Sequence, residues 1–316
     1  MTKIVTATAA VRLAERGVLD LDAPIAGHVL ALRQLRPAGW ASQIAARHLP
    51  SHSAGLANPL PVRWVHPADQ PAPDPDVFLR AVLARHRRLR FEPGSRASYS
   101  NLGALVLAAA LATTTGQPFT DLVAADILRP LQMAATAFNY TPQMRTPAAA
   151  GYHPRRSPMR LLLPRWAIGE PAGRWVSLRP FLVDGPAYGG LVGPVDELAR
   201  FVQLHLRDGE LNGTRILSPQ SAAAMRQITI PGRRYDLGPG WFRPAGQRNA
   251  DPPFVEHLGG GAGFFNLIRI YPTRGVGVAA MGNATKYPID AVADLALTGR
   301  PPPAKPTPAA ELACNR

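Results

Sequence analysis

The chain has 316 residues, 46% of them hydrophobic and 18% charged, which is enough apolar material to bury a substantial core in one large or two intertwined domains. Its formal charge of +14 and pI near 11.0 come almost wholly from arginine scattered along the sequence, with local clusters only at Arg85-His86-Arg87-Arg88-Leu89-Arg90 and Arg155-Arg156-Ser157-Pro158-Met159-Arg160. A dispersed basic balance speaks only to nonspecific association, so a nucleic-acid partner is set aside. The one cysteine, Cys314, leaves no disulfide within this chain, the histidines show no zinc-ligand spacing, and no stretch reaches the roughly 20 apolar residues that span a bilayer.

In chain order, helix signals run from Met1 to about Gly17, Asp76 to Arg88, Leu102 to Thr115, Phe119 to Leu128 and Val195 to Arg207. Pro194 ahead of Asp196-Glu197 gives the last of these a good N-terminal signature, and Ile289 to Leu297 reads as a closing helix. Strands gather late, at Trp241-Phe242 and in a hairpin whose arms, Phe264 to Tyr271 and Val276 to Met281, flank the turn Pro272-Thr273-Arg274-Gly275. Pro59 to Pro75 reads as an ordered loop near a cleft or as a plain surface loop. The proline-rich end, 301–316, is expected to be a flexible tail, and there is no internal repeat.

Three segments carry candidate chemistry. Lys3 opens the first helix, where a serine three residues earlier would share its face; alone, it reads first as a surface lysine at a chain start. Tyr99-Ser100-Asn101 lies on the loop entering an apolar helix, and an extended backbone would turn Tyr99 and Asn101 the same way, one as acid/base and one as hydrogen-bond donor. The plain alternative is that Asn101 caps the helix and Tyr99 packs against it. In His257-Leu258-Gly259-Gly260-Gly261-Ala262-Gly263 the glycines mark backbone that something approaches closely, or simply a glycine-rich strand start with a loop histidine. His48 and His52, four apart, read as hydrogen-bonded packing rather than metal ligands.

Taken in order and interval, these segments resemble the serine β-lactamase and penicillin-binding protein superfamily, in particular its class C type and the esterase and D-aminopeptidase relatives, whose signature is Ser-x-x-Lys, Tyr-x-Asn, then Lys- or His-x-Gly. Supporting matches extend across the chain: Gly17-Val18-Leu19-Asp20-Leu21-Asp22-Ala23-Pro24-Ile25, His48-Leu49-Pro50-Ser51-His52-Ser53-Ala54-Gly55-Leu56, Tyr188-Gly189-Gly190-Leu191 with Asp196 to Phe201, and Leu237-Gly238-Pro239-Gly240-Trp241. Two positions depart from the pattern. The signature serine would be the residue before Met1, so the resemblance implies a chain truncated just after its nucleophile, from a mis-started reading of an active gene or from true loss. Leu258 stands where many relatives carry a hydroxyl that helps hold a substrate carboxylate, which favours an esterase-like or amidase-like hydrolase over a true β-lactamase.

The resemblance implies an α/β (α+β) fold of the β-lactamase/transpeptidase type over 1–300. A mostly helical subdomain of about 35–190 would face an antiparallel sheet subdomain from 1–34 and 191–300, without the family's preceding strands. It further implies ester, amide or peptide hydrolysis through a serine acyl-enzyme. Lys3 and Tyr99 would share proton transfers, Asn101 would orient substrate or Lys3, His257 would replace the third-motif cation, and Gly260 would supply an oxyanion N–H beside Gly259 and Gly261 in the substrate site. Neither a metal nor an organic cofactor is expected. The alternative is a nucleophile-less relative that binds a peptide, cell-wall fragment or protein partner in the same cleft. Oligomeric state stays open, as does compartment: cytoplasmic for the chain as it stands, extracytoplasmic if a signal segment precedes it.

Overall fold

A computed structural model describes residues 1–145, 148–232 and 234–300; the expected tail, 301–316, lies outside them. The first helix, α1 (Thr2–Glu15), is central, with Ile4, Val5, Ala7, Ala9, Ala10 and Leu13 all buried. Its threonines sit inside because Thr6 and Thr8 return their hydroxyls to the carbonyls of Thr2 (3.0 Å) and Ile4 (2.8 Å), one turn back.

A short α2 (Ala38–Ala41) precedes α3 (Pro75–Arg85), which starts on an Asp74 side chain accepting from the Val77 amide at 2.8 Å with Pro75 in the first turn. The apolar helix α4 (Asn101–Thr115) is capped by Ser100 and closed by Gly116 at φ +68. The expected helix 119–128 begins as α5 (Phe119–Val123) and continues as a π-helical turn, Ala124–Leu128. After α6 (Pro142–Arg145) come α7 (Val195–Leu206), with Asp196 and Glu197 in its first turn, and α8 (Pro219–Arg226). The closing helix is α9 (Ile289–Thr298). Among the described residues no single helix is long and apolar enough to cross a membrane.

Short strands between 65 and 215 form three small sheets. β1 (Val65–Pro67) pairs with β5 (Phe181–Val183), β2 (Gly151–Pro154), β3 (Ile168–Ala172) and β4 (Trp175–Leu178) run in the order β2-β4-β3, and β6 (Glu210–Leu211) pairs with β7 (Thr214–Arg215). Strands of two to five residues carry too little alternation to stand out in a sequence.

The principal sheet is antiparallel, in the order β12-β11-β10-β9-β8, from β8 (Tyr235–Leu237), β9 (Phe242–Pro244), β10 (Val255–Gly261), β11 (Phe264–Tyr271) and β12 (Val276–Gly282). The β11–β12 hairpin occurs where the sequence places it. Alternation then sorts the two faces. Ile268 and Ile270 join the main core with Ile4, Phe201 and Trp241, whereas Leu267, Tyr271, Val278 and Ala280 pack with Ile289 and Ala293 of α9.

Candidate active site

The site forms where α1, the entry to α4 and the end of β10 meet. Lys3, on the first turn of α1, donates from Nζ to the Tyr188 carbonyl at 2.6 Å, and the same nitrogen stands 5.0 Å from the Tyr99 ring centroid and 5.7 Å from that of Tyr188. The segment 187–191 grips this end of the helix elsewhere too, since the Leu191 amide donates to Thr2 Oγ1 (3.2 Å) and Thr6 Oγ1 reaches the Ala187 carbonyl (3.1 Å). Burial without a carboxylate partner costs an ammonium its hydration, and the Lys3 pKa falls to about 7. The Met1 α-amine, beside it, is lowered to about 5 by burial and then by the Lys3 charge.

Ser100, rather than Asn101, caps α4: its Oγ accepts from the Gly103 amide at 3.3 Å and donates to the Ala57 carbonyl at 2.7 Å. Tyr99 and Asn101 are thereby released to line the cleft together. Tyr99 lines the cleft, and desolvation by the surrounding protein raises the phenol pKa, so the hydroxyl keeps its proton.

His257 lies within β10, and the glycines that follow are its last residues rather than a loop, paired as Gly259↔Asn266, Gly260↔Phe265 and Gly261↔Phe264. On the opposite edge β10 meets β9 only at Glu256↔Phe242, so from His257 onward that edge is free of β9. Every second residue there turns its N–H and C=O away from β11. A Cβ on Gly259 would stand 3.3 Å from the Met1 nitrogen, and the bare glycine lets α1 approach this edge closely.

The surroundings of His257 disfavour a positive charge on the ring. Its Nδ1 donates to the Leu258 carbonyl at 2.8 Å, and Nε2 is left buried and without a partner among the described residues. Burial, followed by the positive charges of the Met1 amine and Lys3, drives its pKa well below the usual imidazole range. Burial and neighbouring positive charge thus favour the neutral ring, with Nε2 the nitrogen left to accept, a bias that no motif spelling records.

Sequence reasoning also passed over the residue that joins the motifs. Phe242 stacks on His257 (4.4 Å between centroids, 28° between planes) and lies 6.2 Å from Tyr99 and 5.7 Å from His52, itself 4.5 Å from Tyr99. His52 accepts the Ser100 amide at Nδ1 (3.2 Å), and its pKa drops to about 3, chiefly through burial. Its hydrogen-bonded, packed setting agrees with the sequence expectation.

These residues open onto a cleft of about 1570 Å³, in which Lys3, Tyr99, Asn101, His257, Gly259, Gly260 and Gly261 all take part, as do Pro59, Leu60 and Pro61 of the proline-rich stretch. Among the described residues no serine lines it. Ser51 donates to the Arg47 carbonyl at 2.8 Å and lies 2.9 Å from Ser53, so with Ser100 these hydroxyls are structural. No group of three His, Cys, Asp or Glu among the described residues is placed to hold a metal.

The chain belongs to the β-lactamase family of serine hydrolases, whose model matches residues 1–298. It is similar to the D-alanyl-D-alanine-carboxypeptidase/endopeptidase AmpH of Escherichia coli K12, 26% identical over 288 residues that make up 88% of this chain and 68% of that one. It is also 28% identical to penicillin-binding protein 4 of Amycolatopsis lactamdurans, over 98% of this chain and 80% of the relative. Two solved structures share the fold. The octameric penicillin-binding protein homologue of Pyrococcus abyssi has TM-score 0.73 and 23% identity, covering 94% of this chain and 63% of that one. The D-amino acid amidase of Ochrobactrum anthropi SV3 has TM-score 0.72 and 22% identity, covering 95% and 83%.

Proposed function

We propose that this chain carries the catalytic body of an ester or amide hydrolase that works through an acyl-enzyme, with the position immediately before Met1 as the place of the nucleophilic serine. The observation that carries this reading is the convergence of the Met1 nitrogen, Lys3 and the free edge of β10, with Gly259 bare of a side chain against Met1. A serine joined to that nitrogen would lie one helical turn from Lys3. Lys3, with its pKa near 7, is the base that takes the hydroxyl proton; Tyr99, which keeps its proton, is the acid that returns one to the leaving group. Asn101 orients the substrate. The Gly260 N–H and that of the serine stabilise the oxyanion, while Gly259 and Gly261 border the substrate. The carboxypeptidase and amidase named among the similar proteins support amide or peptide chemistry of this kind.

A second reading, a module that binds an ester, amide or peptide without turnover, is favoured by the cleft's lack of a serine among the described residues. A fluorophosphonate probe separates the two. It should leave the 316-residue chain unlabelled and should label a form carrying serine directly before Met1, with labelling rising between pH 6 and 8 as Lys3 loses its proton. Labelling should be largely lost in Lys3→Ala. If the serine-bearing form binds amides yet is never acylated, the binding module is the right account.

A further inference from the structure

The lining of the cleft bears on which esters and amides enter it, an inference that rests on the hydrolase reading. The chain carries 35 lysines and arginines, yet among the described residues Lys3 is the only one of them in the lining. Its amine donates to the Tyr188 carbonyl and, with a pKa near 7, is mostly uncharged at pH 8, as is the Met1 α-amine, also in the lining and lowered to about 5. Glu197 is the only lining carboxylate among those residues, and both of its oxygens are occupied, by the Ala135 amide at 2.9 Å and Thr136 Oγ1 at 2.6 Å. The two lining histidines, His153 and His257, are neutral because burial pulls both below the usual imidazole range. A charged end on a substrate would therefore lose water and gain no counter-charge.

The walls point the other way. Leu60, Met159, Leu163, Phe181, Phe264, Phe265 and Met281 line the cleft. We propose that the cleft takes uncharged esters or amides bearing a long aliphatic or aromatic group, and discriminates against molecules that end in a free carboxylate. The apolar group lies along the Met159–Phe264 wall and removes that wall from water.

The experiment compares three amides binding to the full chain by calorimetry at pH 8: N-phenyloctanamide, its carboxylate analogue 4-(octanoylamino)benzoate, and acetanilide. The octanamide should bind at least tenfold more tightly than the benzoate. It should also exceed acetanilide by thirtyfold or more, since each buried methylene is worth up to about fourfold. Met159→Glu, at a 40% exposed position that tolerates charge, should remove most of the octanoyl advantage while the melting temperature holds. Arg160, whose charge lowers the His153 pKa from outside the lining, is the candidate carboxylate receptor on the rim, and Arg160→Ala should leave the amide-to-benzoate ratio unchanged.

Equal affinity for the benzoate, equal affinity for acetanilide, or a benzoate affinity that collapses in Arg160→Ala would each overturn the proposal. Hydrolysis of p-nitrophenyl octanoate by the serine-bearing form tests the parent reading separately. Selective binding without turnover would sink the hydrolase and leave the ligand class standing; turnover without that selectivity would do the reverse.

Discussion

Glu256 and His257 are neighbours on β10, yet alternation sends them to opposite faces of the sheet, and the two faces treat buried polar groups in opposite ways. On the α9 face, Glu256 accepts from Arg269 Nε at 2.8 Å, and Arg269 also reaches Asp290 of α9 at 2.8 Å and lies 4.3 Å from the Phe254 ring centroid. Among the described residues Arg269 there pairs with Glu256, Asp290 and Asp294. On the α1 face, His257 Nε2 has none among the described residues, and Lys3 has only a carbonyl and two aromatic rings. Paired charges hold a sheet to a helix; unpaired groups held neutral by burial are available to exchange protons. One strand thus carries a paired and an unpaired polar group side by side.

The largest expected effect comes from breaking the paired face. Arg269→Met should cost about 3–5 kcal/mol in urea unfolding, because Glu256 is left buried without its cation. Adding Glu256→Leu should recover most of that loss. A single substitution costing under about 1 kcal/mol would show that the pair contributes little.

The face with the unpaired groups should reveal itself in acid. His52 and His205 are each lowered to about 3, mainly by burial, against 6.5 when free. Between those values the unfolded chain takes up protons that the folded chain refuses, so stability should fall as pH drops from about 6.5 toward 3, at about 1.4 kcal/mol per pH unit for each histidine. Denaturant titrations at successive pH values would read this slope; a flat profile over that window would contradict it.

In the serine-bearing form, Tyr99→Phe keeps the ring contacts with His52 and Phe242 but removes the proton donor, and ester turnover should drop by roughly 10²-fold. Unchanged kcat would remove Tyr99 from the mechanism. The smallest effect is expected at His257→Phe, which keeps a stack on Phe242 and deletes the unpartnered Nε2 together with the Nδ1 bond to the Leu258 carbonyl: the two losses should offset, leaving stability within about 1 kcal/mol. A loss of several kcal/mol would mean that Nε2 has a hidden partner, and that the two faces are more alike than described.

The long periodic elements were legible in the sequence. α1, α4, α7 and the β11–β12 hairpin fall where apolar spacing and turn residues place them, because each buries enough side chains to leave a pattern. α8 escaped although Ser218-Pro219, a capping serine ahead of a first-turn proline, announces it. The short strands near the cleft had no such signal. For the site, residue types and order brought Lys3, Tyr99, Asn101 and the glycines to attention, and all of them line one cleft. What the order could not tell was protonation. The downward pull on the His257 pKa comes from burial, with Phe242 stacked on the ring from 15 positions away, and from the Met1 amine and Lys3, which folding brings in from more than 250 positions away.

One chain of hydrogen bonds beneath Lys3 has a use of its own. The indole N–H of Trp241, a fully buried residue, donates to His205 Nδ1 at 3.4 Å, so the ring proton sits on Nε2, 3.0 Å from Thr8 Oγ1, whose own hydroxyl turns to Ile4 of α1. The polarity of the chain is fixed from end to end, and it ends on the helix that carries Lys3. Light absorbed by that indole should be re-emitted toward the blue while α1 is seated, and toward the red once α1 lifts and water reaches the ring. The protein thus holds an optical gauge of its first helix, with Trp241→Phe as the blank.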